Sequence, residues 1–281
     1  MSPRRLLLID PDRSVHDFLM ALLAREDRTI RNAYGRTESL DCLRSSPFDL
    51  VLAGQAPNGF DGLQLARQFH TLQPNAKIIF TGDPDPTRVI RAIRARAYSY
   101  FHCPLPTIAL ADMVQQALDS APAADDILVM SARPEWITLG IRCKMDAADR
   151  ATHFFRELEP ALPAQFREDV VAAFRELLLN AIEHGGKYDP RKRVRASLLR
   201  TPKSIIVHIA DPGKGFSLNA LPHAAISNPE DSPIHHVEVR AEAGKRPGGF
   251  GILMTRNMVD ELVYNQRGNA VLFVKYLDAS R

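Results

Sequence analysis

The sequence predicts an α/β protein of two domains, the first of them a doubly wound five-stranded parallel sheet. Three observations support this prediction. The chain has 281 residues, which is long for one domain and comfortable for two of ~120 to 160 residues each. Residues 1–120 alternate short apolar strand patterns with helical patterns. Residues 121–126 are small and polar and contain a proline, so we expect a linker there and a second domain over 127–281.

The strand and helix patterns of the first domain locate its site. Strands are predicted at residues 5–9, 29–34, 49–53, 77–81 and 98–102, and helices at residues 14–25, 37–44, 62–72, 87–96 and 108–119. This alternation is typical of a parallel sheet covered by helices on both faces. The site of such a sheet lies at the carboxyl ends of its strands. Those ends carry Asp10, Asp12, Gly54, Thr81 and Cys103.

Four segments of this domain, LLLIDPD, FDLVLAGQAPNGFDG, IIFTGD and YFHCPLP, resemble the receiver domain of response regulators over the first 120 residues. The resemblance places Gly54 at the phosphoaccepting aspartate, Cys103 at the lysine that pairs with the phosphoryl group, and Pro11 at one of two metal-binding acids. Asp10 and Thr81 match the family. Glycine has no carboxylate, so an aspartyl phosphate cannot form at position 54. We therefore expect a pseudo-receiver used for docking or dimerisation, and a phosphorylated switch is the weaker alternative.

The predicted fourth helix has a basic stripe. Arg88, Arg91 and Arg94 recur at i, i+3 spacing, with Arg96 nearby. The stripe is either a solvated face or a face that docks an acidic partner or a second copy of the domain. Asp61 lies in the FDG turn, and we predict that it caps the helix that follows.

In the second domain, residues 174–186, FRELLLNAIEHGG, predict a helix with two different faces. At ~100° per residue, one stripe is apolar and the opposite side is polar. The apolar stripe contains Val170, Phe174, Leu177, Leu178 and Ala181, and the polar side contains Glu176, Asn180 and Glu183. A carboxylate and an amide at i and i+4 are close enough to act on the same ligand.

Two glycine-rich segments follow this helix. Residues 204–210 read as a buried strand that leads into Asp211-Pro-Gly213-Lys-Gly215, a D-x-G-x-G turn. Residues 246–254, RPGGFGILM, enter another helix whose N-terminal N–H groups suit phosphate. The carboxylate of Asp211 suits an exocyclic amine, which needs an acceptor. The glycines let the backbone approach a flat ring.

Three motifs follow one another in the order E-x-x-x-N, D-x-G-x-G and G-G-x-G. In this order they resemble the N, G1 and G2 boxes of the GHKL ATPase superfamily. Within that superfamily, the NAxxHG segment is most similar to anti-sigma-factor serine kinases. The resemblance implies an α/β sandwich that binds ATP and Mg²⁺. It implies that Glu176 is the general base and that Asn180 binds Mg²⁺ and nucleotide. The other implied nucleotide-binding residues are His184, Gly185, Asp211, Gly213, Gly215, Lys245, Arg246, Gly248, Gly249 and Gly251.

The remaining patterns complete the second domain. Strands are predicted at residues 127–130, 136–143, 194–199, 205–210, 261–265 and 270–276, and further helices at 147–158 and 252–262. Residues 216–247 show no period, and between the two glycine boxes they are expected to form the ATP lid. We expect Trp136 to pack and His153 to lie on a helix surface. His235 and His236 have no third ligand at metal spacing, so zinc is not expected.

Composition narrows the possible partners and the compartment. The net charge of +3 is too small to indicate nucleic acid. Cys42, Cys103 and Cys143 show no C-x-x-C spacing, so neither a zinc site nor a disulfide framework is predicted. The apolar run near the start is too short for a signal peptide, and nothing approaches the ~20 apolar residues of a membrane span. We expect a cytoplasmic protein without a membrane partner.

The sequence leads to two functional hypotheses. In the first, the chain phosphorylates a serine or threonine of an anti-anti-sigma (STAS-type) protein, and a sigma factor is a second expected partner. In the second, ATP only sets a conformation, the pseudo-receiver brings a partner, and no phosphate is transferred. Glu176 favours the first hypothesis, and the lost acceptor at Gly54 favours the second. A homodimer is compatible with both.

Overall fold

The computed structural model describes residues 3–55, 59–121, 126–133, 135–215 and 251–277. It divides the chain into two compact units. The first unit comprises Met1–Asp126 and His153–Pro160, and the second comprises Ile127–Thr152 and Ala161–Arg281. The boundary after Asp126 is where the second domain was predicted to begin, but residues 153–160 belong to the first unit. Of the helices in the described ranges, none combines the length and apolar character that a membrane crossing requires.

The first unit is built on a parallel sheet of five strands in the order β2-β1-β3-β4-β5. The strands are β1 (Arg4–Ile9), β2 (Arg28–Ala33), β3 (Leu50–Ala53), β4 (Lys77–Gly82) and β5 (Ser99–His102). The helices are α1 (Arg13–Leu23), α2 (Arg36–Ser45), α3 (Ala66–Leu72), α4 (Pro86–Arg94) and α5 (Thr107–Asp119). The predicted doubly wound sheet is confirmed. Residues 62–72 were predicted as one helix, but a 3₁₀ turn, Gly62–Leu65, precedes α3.

The central strand β3 is apolar along its whole length, as expected for a parallel strand with helices covering both faces of the sheet. All four residues of β3 are buried. Leu6 and Leu8 of β1 pack with Leu19 of α1 and Val114 of α5 in one core cluster. This packing fixes the carboxyl ends of β1, β3 and β4 side by side, which is where the receiver-like residues lie.

The second unit contains a sheet of six strands in the order β10-β11-β9-β8-β7-β6, and each neighbouring pair is antiparallel. The strands are β6 (Ile127–Arg133), β7 (Trp136–Arg142), β8 (Arg193–Arg200), β9 (Ser204–Ala210), β10 (Glu261–Tyr264) and β11 (Ala270–Tyr276). The helices are α7 (Ala164–Asn180), α8 (Gly251–Met258) and the first part of α6 (Met145–Leu158), which from His153 onward belongs to the first unit. A π-helical turn, Ala181–Gly186, continues α7. Alternate residues of β9 are buried, as expected for a sheet with one covered face.

Three expectations for the second domain need correction. The helix α7 begins earlier than the predicted segment, and α8 ends at Met258 rather than at residue 262 because residues 261–264 pair with β11. Trp136 does not pack in the core: it is 54% exposed, and its Nε1–H donates to Thr138 Oγ1 at 3.0 Å.

His153 was predicted to lie on a helix surface, and this is wrong. In the first unit its side chain is only 10% exposed. Its Nε2–H donates to the carbonyl oxygen of Tyr100 at 2.8 Å, and its ring contacts Phe101 with centroids 4.2 Å apart. Burial lowers the pKa of His153, which favours the neutral ring. The histidine therefore helps to attach residues 153–160 to β5.

Candidate functional site

The polar side of α7 presents a carboxylate and an amide together. Glu176 and Asn180 are one turn apart and both partly buried. The Nδ2–H of Asn180 donates to Glu176 Oε1 at 3.4 Å. The opposite side of the helix, including Phe174 and Leu178, is buried in the core. The helix therefore holds the two polar groups at the edge of the core, where a ligand could reach them.

Gly251, the first residue of α8, lies against this pair. A Cβ on Gly251 would be 1.8 Å from Glu176 Oε1, far inside van der Waals contact. The helices α7 and α8 pack closely, and only a residue without a side chain lets the carboxylate reach the start of α8. The sequence motifs that contain Glu176 and Gly251 are therefore adjacent in the structure.

The π-helical turn at the end of α7 brings a second pair of motifs together. A Cβ on Gly185 would be 2.1 Å from Asp211 Oδ1. A Cβ on Gly213 would be 2.8 Å from the Cα of Gly185. The end of α7 and the turn after β9 thus touch backbone to backbone. The chain then leaves the turn through Lys187, whose φ of 56° is left-handed.

The carboxylate of Asp211 is held in place by this turn. Its Oδ1 accepts the N–H of Gly213 at 2.7 Å. Burial raises the pKa of Asp211, while the Gly213 hydrogen bond and the charge of His184 lower it. The side chain is only partly buried. Asp211 is therefore an oriented acceptor that an incoming donor can still reach.

The hairpin between β10 and β11 closes the other side of the Asp211 turn. The carbonyl oxygen of Asn269 accepts the N–H of Asp211 at 2.9 Å. Gly215 has φ +85°, and a Cβ there would be 1.7 Å from the carbonyl oxygen of Arg267. On β10, burial and the charge of Glu176 raise the pKa of Tyr264 to about 12. The hairpin therefore contributes residues to the surroundings of both carboxylates.

The residue predicted to bind Mg²⁺, Asn180, can be judged by its chemistry. Mg²⁺ prefers oxygen ligands and keeps several waters, so it needs few protein groups. Because the Nδ2 of Asn180 points to Glu176, its amide oxygen is the group left to face a metal. The donor set fits Mg²⁺ in this respect. Among the described residues there is no group of three His, Cys, Asp or Glu side chains that could hold a metal without a ligand's help.

The receiver-like residues also come together, but in a closed arrangement. A Cβ on Gly54 would be 2.0 Å from Asp10 Oδ2 and 3.4 Å from Thr81 Oγ1. Asp10 and Thr81 are each 6% exposed. Burial raises the pKa of Asp10, against the lowering effects of the Asp12 N–H and of His16. The Asp10 carboxylate thus fills the space that a side chain at position 54 would need.

Asp12 and Cys103 lie beside this pocket without completing it. Asp12 caps α1 by accepting the N–H and the hydroxyl of Ser14, each at 2.8 Å. Its own N–H donates to Asp10 Oδ1 at 2.9 Å. Cys103 is exposed, and partial burial of the thiol together with the charges of Asp10 and Asp83 raises its pKa. A neutral thiol cannot supply the positive charge of a lysine.

Three of the four arginines predicted on or near the basic stripe are exposed, two of them on α4 and one after its end. Arg91, Arg94 and Arg96 are exposed. Arg88 turns inward, is only 11% exposed, and donates to both carboxylate oxygens of Asp61 at 2.8 and 3.2 Å. Asp61 also accepts the N–H of Leu63 at 3.0 Å, so the predicted cap is present. The prediction that Arg88 is exposed is wrong because its side chain pairs with the buried carboxylate of Asp61.

Both units are similar to known proteins. Residues 141–275 match the model of the family described as histidine kinase-like ATPase domain. The second unit is a histidine kinase-like ATPase domain. The chain joins it to a receiver-like domain. The two domains together support a role as a signalling regulator, and the ATPase domain implies nucleotide binding.

Receiver proteins are among the other matches. The chain is 29% identical over 114 residues to the C4-dicarboxylate transport transcriptional regulatory protein DctD of Pseudomonas aeruginosa, which covers 35% of this chain and 25% of that protein. The chain thus spans about a quarter of the length of this curated relative. A CheY-like receiver domain protein from Methanospirillum hungatei is 25% identical with a TM-score of 0.39, over 42% of this chain and 95% of that one. A receiver domain of an HD domain-containing protein from Pseudomonas fluorescens is 28% identical with a TM-score of 0.40, over 42% and 89%.

The structure of the ATPase domain covers most of the predicted site. Glu176, Asn180, Gly185, Asp211, Gly213, Gly215 and Gly251 lie in the contacts described above, and His184 is exposed on the π-helical turn. Lys245, Arg246, Gly248 and Gly249, the predicted lid, and His235 and His236 lie outside the described residues. Sequence reasoning missed Asn269 and Tyr264. Residues 267–269 only separate two predicted strands in the sequence, and their contact with the Asp211 turn has no local signature.

Proposed function

We propose that the ATPase domain binds Mg²⁺ and ATP and transfers the γ-phosphoryl group to a serine or threonine of an anti-anti-sigma (STAS-type) protein. The receiver-like domain serves docking or dimerisation and is not phosphorylated. One observation carries the proposal: three segments distant in sequence meet so that Glu176 faces Gly251 and Gly185 faces Asp211. Each contact requires a glycine, and each places a carboxylate at the edge of the same domain.

Asp211 has the role of reading the base. Its carboxylate is oriented by the Gly213 N–H and still partly exposed, so it can accept the exocyclic amine of adenine. An oriented, partly buried acceptor of this kind discriminates against a ring that presents a carbonyl at the same place, because the two oxygens would be left unpaired. Gly185 and Gly213 let the ring approach the backbone.

Glu176 has the role of general base. Its carboxylate takes the proton of the incoming hydroxyl as the hydroxyl oxygen bonds to the γ-phosphorus, and the bond from that phosphorus to the β,γ-bridging oxygen breaks to release ADP. The hydrogen bond from Asn180 orients the carboxylate. The amide oxygen of Asn180 would hold Mg²⁺, which neutralises phosphate charge when bound. We assign contact with the γ-phosphate to Lys245 and Arg246.

The first test is calorimetry followed by turnover. ATP binding is measured with and without Mg²⁺ on the wild type and on Asn180→Ala, and ADP release is then measured with a candidate STAS-type protein. We expect binding that requires Mg²⁺ and is weakened in Asn180→Ala, and ADP release that depends on the partner. Glu176→Gln should lower turnover roughly 10²- to 10⁴-fold while ATP affinity stays within about twofold, since the neutral amide keeps the shape but cannot take a proton.

Glu183→Gln is the matched control. Glu183 lies near the end of the same helix, is exposed, and accepts the hydroxyl of Tyr188 at 3.1 Å, a bond that glutamine can keep. This variant should retain full turnover. Equal turnover in Glu176→Gln and the wild type would exclude the kinase role. Binding without any turnover would favour a non-catalytic, ATP-dependent scaffold, and absence of ATP binding would exclude both functions.

A further inference from the structure

Two asparagines of the β10–β11 hairpin form a closed pair. The Nδ2–H of Asn265 donates to Asn269 Oδ1 at 2.9 Å. The Oδ1 of Asn265 accepts the N–H of Asn269 at 3.1 Å and the N–H of Ala270 at 3.2 Å. The hairpin is also closed by the backbone, because the N–H of Asn265 donates to the carbonyl oxygen of Ala270 at 3.0 Å. The side chain of Asn265 therefore fixes both the turn and the amide of Asn269.

Asn269 in turn contacts the Asp211 turn at two points. Its carbonyl oxygen accepts the N–H of Asp211 at 2.9 Å. Its Nδ2–H donates to the carbonyl oxygen of Gly213 at 3.4 Å. The amide has a defined orientation because its oxygen is engaged by Asn265, which leaves the nitrogen for Gly213. The peptide groups on which the Asp211 carboxylate depends are thus held from the hairpin side.

The far end of the same turn rests on the hairpin as well. At Gly215 the φ of +85° and the 1.7 Å separation between a built Cβ and the Arg267 carbonyl oxygen leave no room for a side chain. The Asp211–Gly215 turn therefore meets the hairpin at both of its ends. A shift of the hairpin would move the backbone that orients the Asp211 carboxylate.

We propose that Asn265 and Asn269 are positioning residues that hold the Asp211 turn in the geometry that selects adenine over guanine nucleotides. The inference rests on the proposed binding of ATP. Asn269 acts through Gly213 and Asp211, and Asn265 acts through Asn269. We call Asn265 and Asn269 together the clamp. Loss of the clamp leaves the Asp211 carboxylate present but free to rotate. The preference for an exocyclic amine therefore falls, while contacts with phosphate remain.

The test uses the full chain and measures the dissociation constants of ATP and GTP by calorimetry. Asn269→Ala removes the amide and keeps the carbonyl that Asp211 uses. Asn265→Asp keeps the acceptor for two backbone N–H groups, replaces the donor to Asn269 Oδ1 by an acceptor and adds a negative charge, for which Asn75→Asp is the control. We expect the ATP affinity to fall about tenfold in Asn269→Ala and about threefold in Asn265→Asp, the scale of one hydrogen bond, with GTP affinity unchanged. Asn75→Ala and Asn75→Asp, exposed substitutions in the receiver-like domain, should leave both affinities unchanged.

The outcomes separate the clamp from the function on which it rests. If the wild type does not bind ATP, the proposed function is wrong and the clamp has no ligand. If the wild type binds ATP and both variants keep the ATP to GTP ratio, the clamp is wrong while ATP binding stands. A parallel loss of ATP and GTP affinity would also contradict it, because a merely structural role weakens both. Should Asn269→Ala fail to fold, as judged by circular dichroism, Asn265→Asp decides, because it preserves the hairpin.

Discussion

The receiver-like pocket and the ATPase site use the same local device with opposite results. In each, a glycine lies so close to a carboxylate that a Cβ on the glycine would overlap a carboxylate oxygen. The pairs are Gly54 with Asp10 and Gly185 with Asp211. In the receiver-like pocket the carboxylate is 6% exposed and occupies the vacated space. In the ATPase site Asp211 is still partly exposed, and the close contact joins two segments beside it.

The difference shows that the role of a glycine in a motif depends on which group occupies the space beside it that a side chain would otherwise fill. At Gly54 the missing side chain was the chemical group of the receiver family, and its loss lets Asp10 close the pocket. At Gly185 the missing side chain allows the end of α7 to meet the turn after β9. The same residue type therefore marks a lost site in one domain and an assembled site in the other.

The largest expected effect follows from adding a methyl group to the assembled site. In Gly185→Ala the new Cβ would lie 2.1 Å from Asp211 Oδ1, so the turn has to move. We expect ATP affinity to fall by at least ~100-fold and the free energy of unfolding of the ATPase domain to fall by about 3 kcal/mol. Calorimetry and thermal unfolding of the full chain measure both.

Gly140→Ala is the control within the same domain. A Cβ there would have Met130 Sδ at 3.5 Å as its nearest neighbour, which is ordinary contact, so affinity and stability should hardly change. Comparable behaviour of the two variants would show that the approach of Gly185 to Asp211 does not matter for the nucleotide.

The second prediction attempts to restore the receiver acceptor. Gly54→Asp supplies the missing carboxylate, but its Cβ would lie 2.0 Å from Asp10 Oδ2 and would bring a second negative charge into a buried pocket. We expect a loss of about 3 kcal/mol of stability and no labelling by acetyl phosphate. Gly35→Asp makes the same charge change where no atom lies within 4 Å and should be nearly neutral.

The double variant Gly54→Asp/Asp10→Ala distinguishes crowding from a general intolerance of position 54. Removing the Asp10 side chain vacates the contested space, so part of the lost stability should return. Non-additivity of this size is expected only for residues in contact. Acetyl-phosphate labelling of Gly54→Asp alone would mean that Asp10 moves aside easily and that the pocket is not closed.

The local sequence pattern was sufficient to predict the helices and strands and to name most residues of the candidate site. The period of apolar residues located β1 to β5 within about two residues of the predicted ends, and the ordered motifs named both Glu176 and Asp211. What failed depends on contacts between distant segments. The sequence placed Arg88 in an exposed stripe, but in the structure Arg88 is mostly buried and pairs with Asp61. Asn269 lies between two predicted strands, and nothing in the sequence indicated its contacts with the Asp211 turn. Neither partner is encoded by spacing along the chain.

The smallest predicted effect concerns the charge that closes the receiver-like pocket. Burial raises the pKa of Asp10, so between its unfolded value of about 3.9 and its higher folded value the folded state keeps a proton that the unfolded state has lost. Stability contributed by this group is therefore present at low pH and declines as pH rises through that window. Asp10→Asn cannot ionise, and its Oδ1 can still accept the N–H of Asp12, which Asp10 accepts at 2.9 Å.

Asp10→Asn should accordingly be more stable than the wild type by about 1 kcal/mol at neutral pH, and the advantage should shrink as pH falls toward the unfolded pKa. Urea unfolding at a series of pH values measures the difference. Asp41→Asn is the control, because Asp41 is 65% exposed beside Arg44 and water already solvates its charge. An advantage of Asp10→Asn that grew on acidification would have the wrong sign, and would mean that the Asp12 N–H and His16 stabilise the carboxylate more than burial penalises it.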